Sequence, residues 1–135
     1  MFLSWLDAII TAIMVNISVG KDGITIRLQG AKKFLAIKSK IVIPLENITR
    51  VSTEQTKPIW FPAMRIGAHV PGVFMAGTFW LRKGGKTFYY AKDFSSCITL
   101  TLRNHEYSKV IVDVGKDKEV VADRIRAAIV NLRDS

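Results

Sequence analysis

The chain has one cysteine, Cys97, and two histidines, His69 and His105, in 135 residues. A lone cysteine forms no disulfide within the chain and supplies no Cys-rich zinc site. The histidines stand far apart, with no HxxxH or CxxC spacing near them. No metal is therefore expected, and no other cofactor. Carboxylates are scarce: eleven Asp and Glu against twenty Lys and Arg. Glu46, Glu54, Asp93, Glu106 and Asp113 lie scattered, without a spacing that pairs two of them for acid–base work. A Cys–His nucleophile requires Cys97 to meet an imidazole that a third group orients. Cys97 instead opens an apolar strand and reads as a semi-buried structural residue. Lys83-Gly84-Gly85-Lys86 lacks both P-loop spacing and a following helix, and reads as a turn. The chain is expected not to be an enzyme.

A long apolar run is also missing. Residues 1–15 are mostly apolar but fall short of the ~18–20 residues a spanning helix needs. No Lys or Arg precedes Phe2, and no Ala-x-Ala-type site follows the stretch, so neither export nor a membrane span is expected. Ser4 and Asp7 have capping-box spacing. A helix from Trp5 would align Trp5, Ile9 and Ile13 with Leu6 and Ile10. Such a stripe suits the body of the domain, a sister chain or a lipid interface, although the absence of Lys and Arg speaks against insertion into lipid. We divide the chain into an apolar N-terminal segment, residues 1–12, as a helix or docking arm, and one domain, residues 13–135.

What the sequence does have is positive charge, unevenly placed. Residues 1–92 hold 13 Lys and Arg against 4 Asp and Glu, whereas residues 93–135 hold 7 of each. The net +9 lies wholly in the first two-thirds, which suggests an anionic partner or surface. With 49% hydrophobic and 23% charged residues, the composition is that of a globular domain.

Period-two alternation predicts strands through most of the chain. Ile13, Val15, Ile17 and Val19 form one, and Lys21-Asp22-Gly23 turns the chain into Ile24, Ile26 and Leu28. Phe34–Ile37, Ile41–Leu45 with Pro44 at an edge or strand end, and Ile48–Val51 follow. Residues 54–76, with Pro58, Pro62, Pro71, Gly67 and Gly72, read as one long loop pinned by Trp60, Phe61, Phe74 and His69. Alternation resumes at Thr78–Arg82 and turns at Gly84-Gly85. It returns with Phe88 and Tyr90 facing one way and Thr87 and Tyr89 the other. Ile98–Arg103, a turn at Asn104-His105-Glu106 with His105 in solvent, and Val110–Val114 complete the strands. The period then changes to a helix to about residue 133. Asp117 is its expected N-cap, and Val121, Ile125, Ala128, Ile129 and Leu132 its apolar face.

This order predicts a mainly β fold: a two-sheet roll of about seven antiparallel strands capped by one C-terminal α-helix. It resembles a pleckstrin-homology (PH) domain, and the detail resembles bacterial PH-like domain proteins. The resemblance is carried by Asp22-Gly23-Ile24, Ile43-Pro44-Leu45-Glu46-Asn47-Ile48 with Val51, Gly67 with Pro71-Gly72, Gly77-Thr78-Phe79, Gly85 before Phe88, and the last strand leading into Asp117. It covers about residues 13–132. The family implies a binding or assembly module. Its eukaryotic members often hold inositol phospholipid heads through basic residues of the first hairpin, and many bacterial ones form oligomers. Here Lys21 and Arg27 fit the basic signature, but Thr25 stands where a second basic residue belongs.

The expected function is non-catalytic association with an acidic surface, the inner face of the cytoplasmic membrane, by a cytoplasmic, peripheral protein. The contact residues expected are Lys21, Arg27, Lys38, Lys40, Arg82, Lys83 and Lys86, with Trp60 and Phe61 adding apolar grip. The alternative is a homo-oligomer assembling through residues 1–12, with no small-molecule ligand. Nucleic acid is not an expected partner: the aromatics could stack on bases, but strand aromatics read as core, and no RNP-type motif is present.

Overall fold

The computed structural model describes residues 13–21, 23–30, 40–55, 64–70, 74–81 and 85–134. The expected strand at Phe34–Ile37 and the N-terminal residues Ser4, Trp5, Leu6, Asp7, Ile9 and Ile10 lie outside them.

Nine strands are described: β1 (Ile13–Val19), β2 (Gly23–Gly30), β3 (Lys40–Pro44), β4 (Ile48–Ser52), β5 (Met64–Val70), β6 (Phe74–Leu81), β7 (Gly85–Ala91), β8 (Cys97–Leu102) and β9 (Lys109–Asp113). Three 3-10 turns, Leu45–Asn47, Phe94–Ser96 and Gly115–Asp117, join them, and one helix follows, α1 (Lys118–Asp134). The strands form a three-stranded sheet, β1-β2-β3, and a six-stranded sheet, β4-β8-β9-β7-β6-β5.

The three-stranded sheet follows directly from the alternation. Ile24 pairs with Val19 and Ile43, and Ile26 with Ile17 and Ile41. Ile24, Ile26, Ile41 and Ile43 are buried, while Thr25, Arg27, Lys40 and Val42 point the other way. Gly20 N–H donates to the carbonyl of Gly23 at 2.9 Å, closing the turn. A Cβ at Gly23 would lie 2.8 Å from the carbonyl oxygen of Ile43, so glycine is required by the close approach of β2 and β3. Pro44 ends β3, an outer strand of this sheet among the described residues, where a missing N–H does little harm.

The main core lies between the sheets and under α1. Ile24, Ile43, Phe88, Tyr90, Leu100, Val110, Val112, Ala122 and Ile125 belong to it. Val121, Ala128, Ile129 and Leu132 of α1 pack against it, as the helical spacing requires. Two side chains tie the helix to β4 and the residue after it: Arg126 Nη2 donates to the Val51 carbonyl at 3.0 Å, and Lys118 Nζ to the Thr53 carbonyl at 2.9 Å.

Three expectations are corrected. First, residues 54–76 are not one loop: Met64–Val70 is a strand whose partner is β6, with Gly67 opposite Gly77. The prolines that suggest a loop flank it, and β5 pairs only with β6 among the described strands; such an outer strand tolerates weak β-formers. Second, not every pairing is antiparallel. β9 returns from β8 into the space beside β7 and pairs with β7 in parallel, Phe88 opposite Val110 and Tyr90 opposite Val112.

The alternation of β7 holds, with Phe88 and Tyr90 in the main core and Tyr89 on the other side, but neither side meets water. Thr87, Phe88, Tyr89 and Tyr90 are all buried, because a second apolar cluster (Met75, Phe79, Tyr89, Ala91, Cys97 and Ile111) occupies the opposite side of the sheet. Central strands buried on both faces lose the alternation signal. Third, Asp117 lies inside a 3-10 turn that runs straight into α1. The carboxylate that organises this junction is Asp113, which accepts Gly115 N–H at 3.0 Å.

Candidate anionic-surface site on the three-stranded sheet

The outer face of the three-stranded sheet carries a row of polar side chains set by register. Asn16, Arg27 and Lys40 stand opposite one another across β1, β2 and β3, and all three are exposed. Directly opposed residues of an antiparallel pair bring their Cβ atoms to about 5 Å, and like charges there are destabilising. Arg27 and Lys40 are such a pair. Among the described residues neither has a carboxylate partner. The next row on this face is Ser18, Thr25 and Val42, with Val42 52% exposed. Lys21 is exposed in the β1–β2 turn, three residues of strand or more from Arg27, which is roughly 10 Å or more.

Lys86 lies on the six-stranded sheet, not with this group. It is half-buried, its Nζ 4.0 Å from Glu106 Oε2 and over the rings of Trp80 and Tyr107 at 5.6 and 5.0 Å. Tyr107 is itself held by a 3.0 Å hydrogen bond between its hydroxyl and that of Thr78. Lys38, Arg82, Lys83, Trp60 and Phe61 lie outside the described residues. The structure thus brings Arg27 and Lys40 together, with Lys21 at the end of the same hairpin.

The groups considered for catalysis have other surroundings. Cys97 is fully buried, and its Sγ donates to the Asp93 carbonyl at 3.4 Å. Burial, and then the Asp113 and Asp93 carboxylates, push its thiol far above the usual range, so it stays protonated at neutral pH. His105 is not simply solvated, as its turn position suggests. Its Nδ1 accepts Tyr107 N–H at 3.1 Å and its Nε2 lies 3.1 Å from the Val42 carbonyl. With Nδ1 accepting, Nε2 carries the proton and donates, linking the β8–β9 turn to β3. His69 falls in β5 opposite Met75 rather than in a loop. Asp93 and Asp113, distant in sequence, meet at one end of the sheet: Asp113 Oδ2 accepts Asp93 N–H at 3.0 Å and Lys92 N–H at 3.3 Å. Asp93 is held below the usual carboxylate range by the Ser95 hydroxyl and the Ser95 N–H. These carboxylates cap backbone groups, and among the described residues no His, Cys, Asp or Glu cluster could hold a metal ion.

A family model described as bacterial PH domain matches residues 15–127. The chain belongs to the bacterial PH domain family. The match runs from β1 into α1, so it takes in both sheets. No curated protein and no solved structure matches the chain. Bacterial PH domains are generally non-catalytic modules, and the fold places this chain among binding or assembly domains at that level. Among the described residues no helix is long and apolar enough to cross a membrane.

A groove elsewhere on the domain has almost no signature in the sequence. With a volume of about 340 Å³, it runs between the end of α1, the Leu45–Asn47 turn and the start of β4, with Arg103 and Arg133 on its rim. Its one sequence signal is that the apolar stripe of α1 continues to Leu132, one turn beyond Ala128 and two beyond Ile125.

Proposed function

We propose that this PH domain is a non-catalytic module that docks on anionic surfaces, the inner face of the cytoplasmic membrane in particular, through the outer face of β1, β2 and β3. One observation carries the reading: Arg27 and Lys40 face each other in register, exposed, with no carboxylate beside them among the described residues. A fold built for stability alone gains nothing from opposed cations, whereas a negatively charged plane turns that repulsion into attraction. Each Lys or Arg near such a surface contributes about 1 kcal/mol. Lys21 adds to the pair, and Val42 offers an apolar contact beside it. Lys38, Arg82 and Lys83 extend the cationic set on sequence grounds, and Lys86 does so in part, since its ammonium also faces Glu106.

The test is co-sedimentation with vesicles of phosphatidylcholine alone and with 30% phosphatidylserine. Binding to the anionic vesicles only, weakened by salt and by Arg27→Glu with Lys40→Glu, supports the reading. Equal binding to both vesicles, or anionic binding untouched by the charge reversals, contradicts it.

A further inference from the structure

We propose that the groove between the end of α1 and the Leu45–Asn47 turn binds a single-chain acidic amphiphile, with a fatty-acid-like carboxylate between Arg103 and Arg133 and the alkyl tail on the groove floor. This site is separate from the outer sheet face, and its last residues, Ile129, Leu132 and Arg133, lie beyond the family match at residue 127.

The floor is apolar. Leu45 and Ile48 are buried at its base, and Ile129 and Leu132 are half-buried along its side. Ile129 and Leu132 thus pack against the core in part and turn their remaining alkyl surface to the open concavity. At about 340 Å³ the groove reaches the size at which small-molecule sites begin.

The rim is charged in a particular proportion. Arg103 and Arg133 are exposed on it, and Glu46 is the one carboxylate lining it among the described residues. The remaining charge of +1 matches a monoanion. Arg103 is held in place: its backbone N–H donates to the Asn47 carbonyl at 2.9 Å, and its Nη2 donates to the Glu46 carbonyl at 3.4 Å. A guanidinium has five donors, so others remain for a carboxylate, which it fits in a fork geometry. The Thr49 hydroxyl already donates to the Thr101 carbonyl at 3.1 Å, leaving the two arginines as the groove's anion-binding groups. A small hydrophilic anion would leave the floor unfilled, and a neutral chain would leave the arginines unmatched. An acid with a long tail satisfies both.

The experiment is calorimetric titration of the full chain with myristate, myristyl alcohol and acetate, each below its aggregation limit. The expected result is one-to-one binding of myristate, at least tenfold weaker binding of the alcohol and none of acetate. Arg103→Ala and Arg133→Ala should each weaken myristate at least fivefold. Both positions are exposed, so the variants should keep the wild-type circular-dichroism spectrum. Amide shifts on adding myristate should centre on Thr49 and Ile129. No binding of myristate, equal affinity in the Arg103→Ala/Arg133→Ala double variant, or shifts centred on Arg27 and Lys40 would overturn the proposal. The first two leave vesicle docking intact, so the two ideas fail separately.

Discussion

The guanidinium of Arg126 donates to the carbonyl oxygen of Val51 at 3.0 Å. Val51 belongs to β4, whose one strand partner among the described residues is β8. The outward carbonyls of such a strand invite pairing with another chain. Arg126 occupies one of them and Lys118 does the same for Thr53, two residues on. The helix thus closes this edge as well as the core. Arg126→Ala should lower stability by about 1 kcal/mol and the thermal midpoint by a few degrees, read by calorimetry. Arg126→Lys should recover part of the loss, whereas an unchanged midpoint in Arg126→Ala would show the tether to be idle.

Thr87 gives a prediction of opposite sign. Its side chain is fully buried, and its hydroxyl has no hydrogen-bond partner among the described residues. A buried unsatisfied hydroxyl costs about 1–3 kcal/mol, and replacement by an apolar group of the same shape removes that loss. Thr87→Val should therefore stabilise the fold by about 1 kcal/mol in urea unfolding. Thr87→Ser, which keeps the hydroxyl and loses the methyl, should destabilise it.

Alkaline pH should weaken the domain in two stages. The thiol of Cys97 is pushed up by burial, and so is the phenol of Tyr89, to about 12. A group whose pKa is higher in the folded state stabilises fully below its unfolded value and loses that contribution as pH rises. Unfolded cysteine titrates near 8.5 and tyrosine near 10. Unfolding free energy should begin to fall above about pH 8.5 and fall more steeply above about pH 10. Cys97→Ala should remove the first stage and keep the second. A wild-type curve flat to pH 10 would contradict the assignment.

Gly23 tests the approach of β2 to β3. Its absent Cβ would sit 2.8 Å from a backbone oxygen, with no flexible side chain to yield. Gly23→Ala should destabilise by about 1–3 kcal/mol, read by chemical unfolding, whereas the same change at the exposed Gly20, whose nearest neighbour is 3.6 Å away, should matter far less.

The sequence reveals best those elements whose two faces differ. β1, β2, β3 and β8 alternate because one side meets the core and the other meets water or a polar layer, and α1 shows its stripe for the same reason. It reveals least where that contrast vanishes. β7 and β9 are apolar on both sides, so a parallel pairing leaves no trace in the pattern, and β5 is disguised by the prolines around it. The candidate site was half legible. Arg27 and Lys40 are visible as exposed cations, but their opposition depends on the β2–β3 register, which spans residues 31–39. The Arg103–Arg133 groove joins positions thirty residues apart and has no local signature. His105 illustrates the same limit: a turn residue by sequence, it is a bridge to β3 only once the two sheets are stacked.

The central claim is the orientation of the domain on an anionic membrane. Because Cys97 is fully buried, an environment-sensitive fluorophore can be attached selectively at Val42→Cys on the outer sheet face or at Val130→Cys on α1, both positions being 52% exposed. With phosphatidylserine vesicles, the account predicts a blue shift for the probe at position 42 and none at position 130. A shift at 130 with silence at 42, or none at either, would contradict it.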